Sequence, residues 1–109
     1  MVSHFLSLNR IIELNSDYAQ FIVNKTNNVL TLRLAINQKS NLIKRCLVGS
    51  LSTIRKMSIE QQQAYWLNKI EFIELEEGST VSAECDVMRK NLEKLFERIG
   101  KHQKLLSAQ

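Results

Sequence analysis

Proline is missing from this chain of 109 residues, and glycine occurs only at Gly49, Gly78 and Gly100. Folds made of many short strands need frequent turn residues, so the scarcity argues for helices and against a sandwich or barrel. Histidine is scarce too: His4 and His102 stand almost a chain length apart. No serine or cysteine sits in a recognisable nucleophile motif, and no glycine-rich loop is available to cradle a phosphate. Cys46 and Cys85 form neither a CxxC nor a close ligand pair, which places the chain in the cytoplasm with reduced thiols packed as small core hydrophobes. No apolar run approaches the roughly 18 to 20 residues of a membrane span. The start, MVSHFLSLNRIIELN, lacks the cationic, apolar and small-residue parts of a signal peptide. The acids between residues 71 and 86 lack the alternating ligand spacing of a calcium loop. An enzyme is disfavoured on these grounds, and no catalytic residue, metal ligand or cofactor is assigned.

What the chain does have is sorted charge. Residues 1–32 balance, whereas residues 33–56 hold Arg33, Lys39, Lys44, Arg45, Arg55 and Lys56 without one acid. Residues 57–86 follow with Glu60, Glu71, Glu74, Glu76, Glu77, Glu84 and Asp86 against Lys69 alone, and residues 87–109 are basic again. A solvated helix face would account for a basic run of this kind. Segregation on this scale also fits a surface that meets a polyanion and another that meets something basic. Lysines and arginines on consecutive short helices would hold a duplex by its phosphates, with steep salt dependence and little sequence information.

The apolar pattern predicts a single domain, residues 1–109, of about five helices. Phe5, Leu8, Ile12, Ala19 and Ile22, with the neighbouring row Ile11, Leu14, Tyr18 and Phe21, give a broad helical stripe over residues 4–26. Leu30, Leu32, Leu34 and Ile36 alternate as a strand would. With no evident second strand nearby, a short buried helix is favoured for residues 29–36. A helix over residues 38–48 is predicted next, capped by Asn37 and closed by Gly49, then a short one opened by Ser50 or Ser52. Ser58 with Gln61 has the capping-box form and opens a longer helix through Tyr65 and Trp66 toward Leu75. After a loop at residues 76–80, Val81, Cys85, Met88, Leu92, Leu95, Ile99, His102 and Leu106 recur at steps of four and three, the spacing of a coiled-coil seam. His102 reads as a polar position at the end of that seam. Such a thin core with so much apolar sequence favours a partner, a second copy included.

The run LRLAINQKSNLIKRCLVGSLSTIRKMS resembles the central part of the FlhD family, the small subunit of the flagellar master transcriptional activator. Arg33-Leu34-Ala35-Ile36-Asn37 matches the family's first block, Lys56-Met57 its last, and Leu14-Asn15 with Tyr18 its I-N-x-x-Y. The resemblance implies an all-α, homodimeric bundle that joins a larger, zinc-binding FlhC-like subunit and RNA polymerase on double-stranded DNA. The family's dimer-bridging cysteine has no counterpart near Tyr65 or Trp66. The chain is therefore expected to be an all-α obligate homodimer, its longest helices at the two termini, acting as a non-enzymatic DNA-binding activator subunit. DNA contacts are expected from Arg33, Lys39, Lys44, Arg45, Arg55 and Lys56. Partner or dimer contacts are expected from Phe5, Leu8, Ile12, Tyr18, Phe21, Tyr65, Trp66, Met88, Leu92, Leu95 and Ile99. The alternative is a small helical adaptor or secretion chaperone that grips a partner helix along residues 81–106 and touches no nucleic acid.

Overall fold

A computed structural model describes residues 7–36 and 43–107, the side chains of residues 105–107 excepted. The chain is not all-α: the elements run α1 (Leu8–Ile12), β1 (Ala19–Asn24), β2 (Val29–Ala35), β3 (Lys44–Ser50), α2 (Leu51–Ile54), α3 (Ile59–Glu77), a 3₁₀ turn (Gly78–Val81) and α4 (Ser82–Ser107). The strands form an antiparallel meander, β1-β2-β3.

The helix predicted over residues 4–26 is instead a one-turn helix followed by a strand. Ser7 caps α1 by accepting from the Arg10 N–H. Within β1, Ala19 and Phe21 face inward, and Ile22 and Asn24 are exposed. That alternation lay hidden under a helical template. Residues 29–36 follow the strand option: Leu30, Leu32 and Leu34 are wholly buried on one face of β2. Only the tight turn before them makes this possible. Asn28 takes φ +56°, a left-handed position that asparagine tolerates without glycine, and its side chain bonds Ser50, Ser52 and the Ser52 N–H. The predicted helix over residues 38–48 is a strand from Lys44 onward, and its Asn37 cap lies outside the described residues. Gly49 does not end a helix. It sits in β3, where a Cβ would meet the Ile54 side chain at 2.7 Å and the Tyr65 ring at 2.8 Å.

The second half follows the expectation closely. Ser50 caps α2, and Ser58 with Gln61 closes a full capping box at α3. Of the terminal helices expected to be longest, α4 with 26 residues is, whereas the N-terminal helix has five and α3, with 19, is second. The seam of α4 is buried: Cys85, Met88, Leu92, Leu95 and Ile99 have no exposed surface. They form one core with Leu30, Leu32, Leu34 and Leu47 of the sheet and with Trp66 and Ile70 of α3. The helices thus cover one face of the sheet, and the other face is open. Asn91 crosses the junction, donating to the Ala35 carbonyl at 2.7 Å. No helix among the described residues is long and apolar enough to cross a membrane.

The seam residues are the core, so truncation there is expected to be severe. Leu92→Ala should destabilise by roughly 2–5 kcal/mol through the cavity it leaves. Ile22→Ala, on the open sheet face, should change stability by no more than about 1 kcal/mol. Urea unfolding of both variants beside the parent checks the contrast.

Candidate docking surface at the third strand

A three-stranded meander has two edge strands, and this chain treats them differently. On β1 the chain itself takes up the outward main-chain groups of Phe21 and the Ala19 carbonyl. The Asn15 side chain accepts from the Phe21 N–H at 2.9 Å and donates to its carbonyl at 3.4 Å. The Ser16 N–H donates to the Ala19 carbonyl at 2.9 Å.

On β3 nothing comparable occurs among the described residues. The Ile36 N–H donates to the Ile43 carbonyl and the Leu51 N–H to the Asn28 carbonyl, bracketing the β2–β3 ladder. Antiparallel alternation between those bonds turns the N–H and C=O groups of Lys44, Cys46, Val48 and Ser50 away from β2. Among the described residues, no hydrogen bond takes up the Cys46 or Val48 main chain. An edge of this kind is a template for another strand.

Helix α3 runs antiparallel to β3 alongside this edge. Arg45, near the start of β3, bonds Glu77 at the end of α3, while Tyr65, near the start of α3, packs on Gly49. Between strand and helix lies a groove of about 590 Å³ lined by Cys46, Val48, Tyr65, Lys69, Phe72 and their neighbours. Phe72 is 59% exposed, Leu75 76% and Val48 51%. Tyr65, Asn68, Phe72 and Leu75 recur at steps of three, four and three, so α3 carries an uncovered stripe beside an uncovered strand. The Lys69 ammonium rests 5.0 Å from the Tyr65 ring centroid, within cation–π range.

The end of the groove is anchored by charge. The Arg45 guanidinium donates to both Glu77 carboxylate oxygens at 2.9 and 3.2 Å and to Glu84 at 3.1 Å, tying β3 to α3 and α4. Arg89 of α4 likewise grips Glu74 of α3 through two bonds and reaches Asp86. Hydrogen bonding from Arg45, with its positive charge, holds the Glu77 carboxyl below its ordinary value, and the same bond raises Arg45. Burial is the leading cause that pushes the Cys85 thiol up.

The sequence-predicted DNA contacts are not gathered in one place. Arg45 points into the acidic clamp. Arg33 and Lys44 lie on the open sheet face, where Lys44 donates to Gln20 at 3.1 Å, and Arg55 and Lys56 stand exposed after α2. Lys39 is outside the described residues. Of the predicted contact residues, Leu8, Phe21, Trp66, Met88, Leu92, Leu95 and Ile99 are buried within the single chain, and Ile12, Tyr18 and Tyr65 are half-buried. Only Tyr65 among these lines the groove, and Phe5 is outside the described residues. Val48, Lys69, Phe72 and Leu75 were missed. The signal available for them was the spacing of Phe72 and Leu75 off the buried row of α3. Cys46 is exposed rather than in the core, because it alternates with the inward Leu47. Cys85 is buried as expected, and His102 is half-buried on α4. No group of three or more histidines, cysteines and acids among the described residues could hold a metal. The FlhD resemblance implied an all-helical chain, and the sheet departs from it. Comparison with protein-family models, with curated proteins and with solved structures finds no match.

The clamp makes a pH prediction. A carboxyl held below its ordinary value of 4.5 contributes stability above that value and loses it as pH falls through the lowered one. The urea midpoint of Arg45→Met should therefore lie below the parent's at pH 6, and the gap should narrow by pH 3.

Proposed function

We propose that the chain is a non-enzymatic assembly protein, an adaptor that works by docking a polypeptide on the β3 edge and the α3 stripe. The carrying observation is the contrast between the two edges: at β1 Asn15 and Ser16 take up main-chain groups of Phe21 and Ala19, while among the described residues no hydrogen bond takes up the main chain of Cys46 or Val48 beside Phe72. Strand addition supplies main-chain hydrogen bonds, and the adjoining apolar groove supplies side-chain selectivity. This keeps the adaptor reading of the sequence and moves its contact surface. The seam from Val81 to Ile99 is committed to the core, and β3 with α3 takes its place.

A second reading is favoured by the open sheet face. Gln20, Ile22, Asn24, Val29, Thr31, Arg33, Ala35, Lys44, Cys46, Val48 and Ser50 share it, with two bases and no acid. A nucleic-acid backbone is the ligand such a face would take, and the activator-subunit reading belongs here, with duplex DNA, an FlhC-like subunit and RNA polymerase as partners. It rests on fewer cations than the sequence offered, since Arg45 is neutralised within the fold.

One experiment addresses both. The protein, immobilised at low density, is panned against a displayed library of random peptides, and separately titrated with a duplex DNA at 50 and 200 mM salt. The adaptor reading expects peptide binders that Phe72→Asp and Val48→Lys abolish and that Arg33→Ala with Lys44→Ala leaves intact. Binders indifferent to Phe72→Asp and Val48→Lys, or an absence of binders to a chain that also fails to self-associate, overturn it. Duplex binding that falls steeply with salt and is lost in Arg33→Ala with Lys44→Ala would establish the second reading instead.

A further inference from the structure

We infer that the polypeptide docked at the β3 edge is a second copy of this chain, related by a two-fold axis that passes between the two β3 strands and between the two α3 helices. The inference rests on the reading of this side as a docking surface and names its occupant.

The surface is composite. It offers an unpaired strand and, parallel to it, a helix stripe, so an extended peptide would satisfy the strand and leave Phe72 and Leu75 uncovered. A second copy presents a strand and a helix with the same lateral arrangement. A two-fold axis sets strand against strand and helix against helix, both antiparallel, in a self-complementary contact.

The levels of the two elements agree with a single axis. Arg45 is level with Glu77 and Gly49 with Tyr65, which puts Leu47 beside the stretch of α3 around Glu71 and Phe72. An axis at Leu47 pairs Cys46 with Val48 of the partner copy and Lys44 with Ser50 of the partner copy. All four are the residues whose main-chain groups point outward, so the register joins hydrogen-bonding positions to hydrogen-bonding positions. The same axis crosses the α3 pair near Phe72. Crossing between Phe72 and Ile73, it lays Lys69 opposite Glu76 of the partner copy and sets the two Phe72 rings beside the centre. Charge complementarity thus falls out of the sequence order along α3: a base on one side of Phe72 and an acid on the other. The Lys44 ammonium groups are kept apart, because each faces a serine. The product is a continuous six-stranded sheet, with no free β3 edge and with helices on one face only. This interface differs from the one expected at Met88, Leu92, Leu95 and Ile99, which lie inside each copy.

Sedimentation equilibrium of the full chain from 1 to 300 µM tests it. The expected result is reversible association to about twice the chain mass of 12.6 kDa. Phe72→Asp and Val48→Lys, both at exposed positions, should each leave the far-UV circular dichroism unchanged and yield a single-chain mass throughout. Lys69→Glu should weaken association by roughly tenfold or more through like charges across the axis, and Lys69→Glu with Glu76→Lys should restore it. A single-chain mass for the parent at every concentration overturns the inference. So does a dimer indifferent to Phe72→Asp and Val48→Lys, or a charge swap that fails to restore what Lys69→Glu loses. A monomeric parent that still binds displayed peptides through Phe72 and Val48 removes the second copy as occupant and leaves the docking surface standing. If both measurements fail, the docking reading falls with it.

Discussion

The leucine face of the sheet against the seam of α4 is the contact on which the rest depends. Leu30, Leu32 and Leu34 share one buried core with Met88, Leu92, Leu95 and Ile99, and removing this apolar area from water is the main favourable contribution a short chain can draw on. Once this contact forms, α3 must lie on the same side of the sheet, beneath β3, because the turn at Gly78–Val81 is too short to carry it elsewhere. Trp66 and Ile70 then complete the core, Arg45 ties β3 to both helices, and Arg89 ties α4 to α3.

A sheet covered by helices on one face has its other face and two edges left to account for. The open sheet face is polar along the Gln20, Arg33 and Cys46 row and apolar along the Ile22, Thr31 and Val48 row. The β1 edge is shielded by the loop that leads into it. The β3 edge keeps its hydrogen-bonding capacity, and the helix beside it keeps its aromatic and leucine side chains. Natural edge strands are usually blunted by charge, proline or a covering segment. Here Lys44 stands at one end of β3, and Val48 further along is apolar and exposed, which supports the proposed pairing at this edge.

The helical half was legible because its signals are local. A capping box at Ser58 and Gln61, a cap at Ser50 and a seam repeating at four and three each need only a few neighbouring residues. The strands were not legible, for a physical reason. The turn between β1 and β2 uses Asn27-Asn28 in place of glycine or proline, so the lack of those residues misled. Leu30, Leu32 and Leu34 alternated plainly, but the strands they pair with were disguised: one by the apolar row of Ile11, Ile12 and Leu14 before it, the other by a basic composition that suited a helix face. The uncovered stripe on α3 was written in Phe72 and Leu75. Their spacing sets them off the row of Trp66 and Ile70, but without the sheet in place nothing told which of the two rows is buried. The sorting of charge was visible, but its use was not: part of the basic block is consumed internally when Arg45 meets Glu77 and Glu84.

The most direct measurement of the central claim, that β3 is an edge built to be paired, is native-state amide hydrogen exchange at two protein concentrations. The Phe21 amide, held by Asn15, and the Leu47 amide, held by β2, should be protected at both. The Cys46 and Val48 amides should exchange freely in dilute solution and become protected as concentration rises. If Cys46 and Val48 exchange equally fast at both concentrations, the edge is merely exposed and the account is wrong.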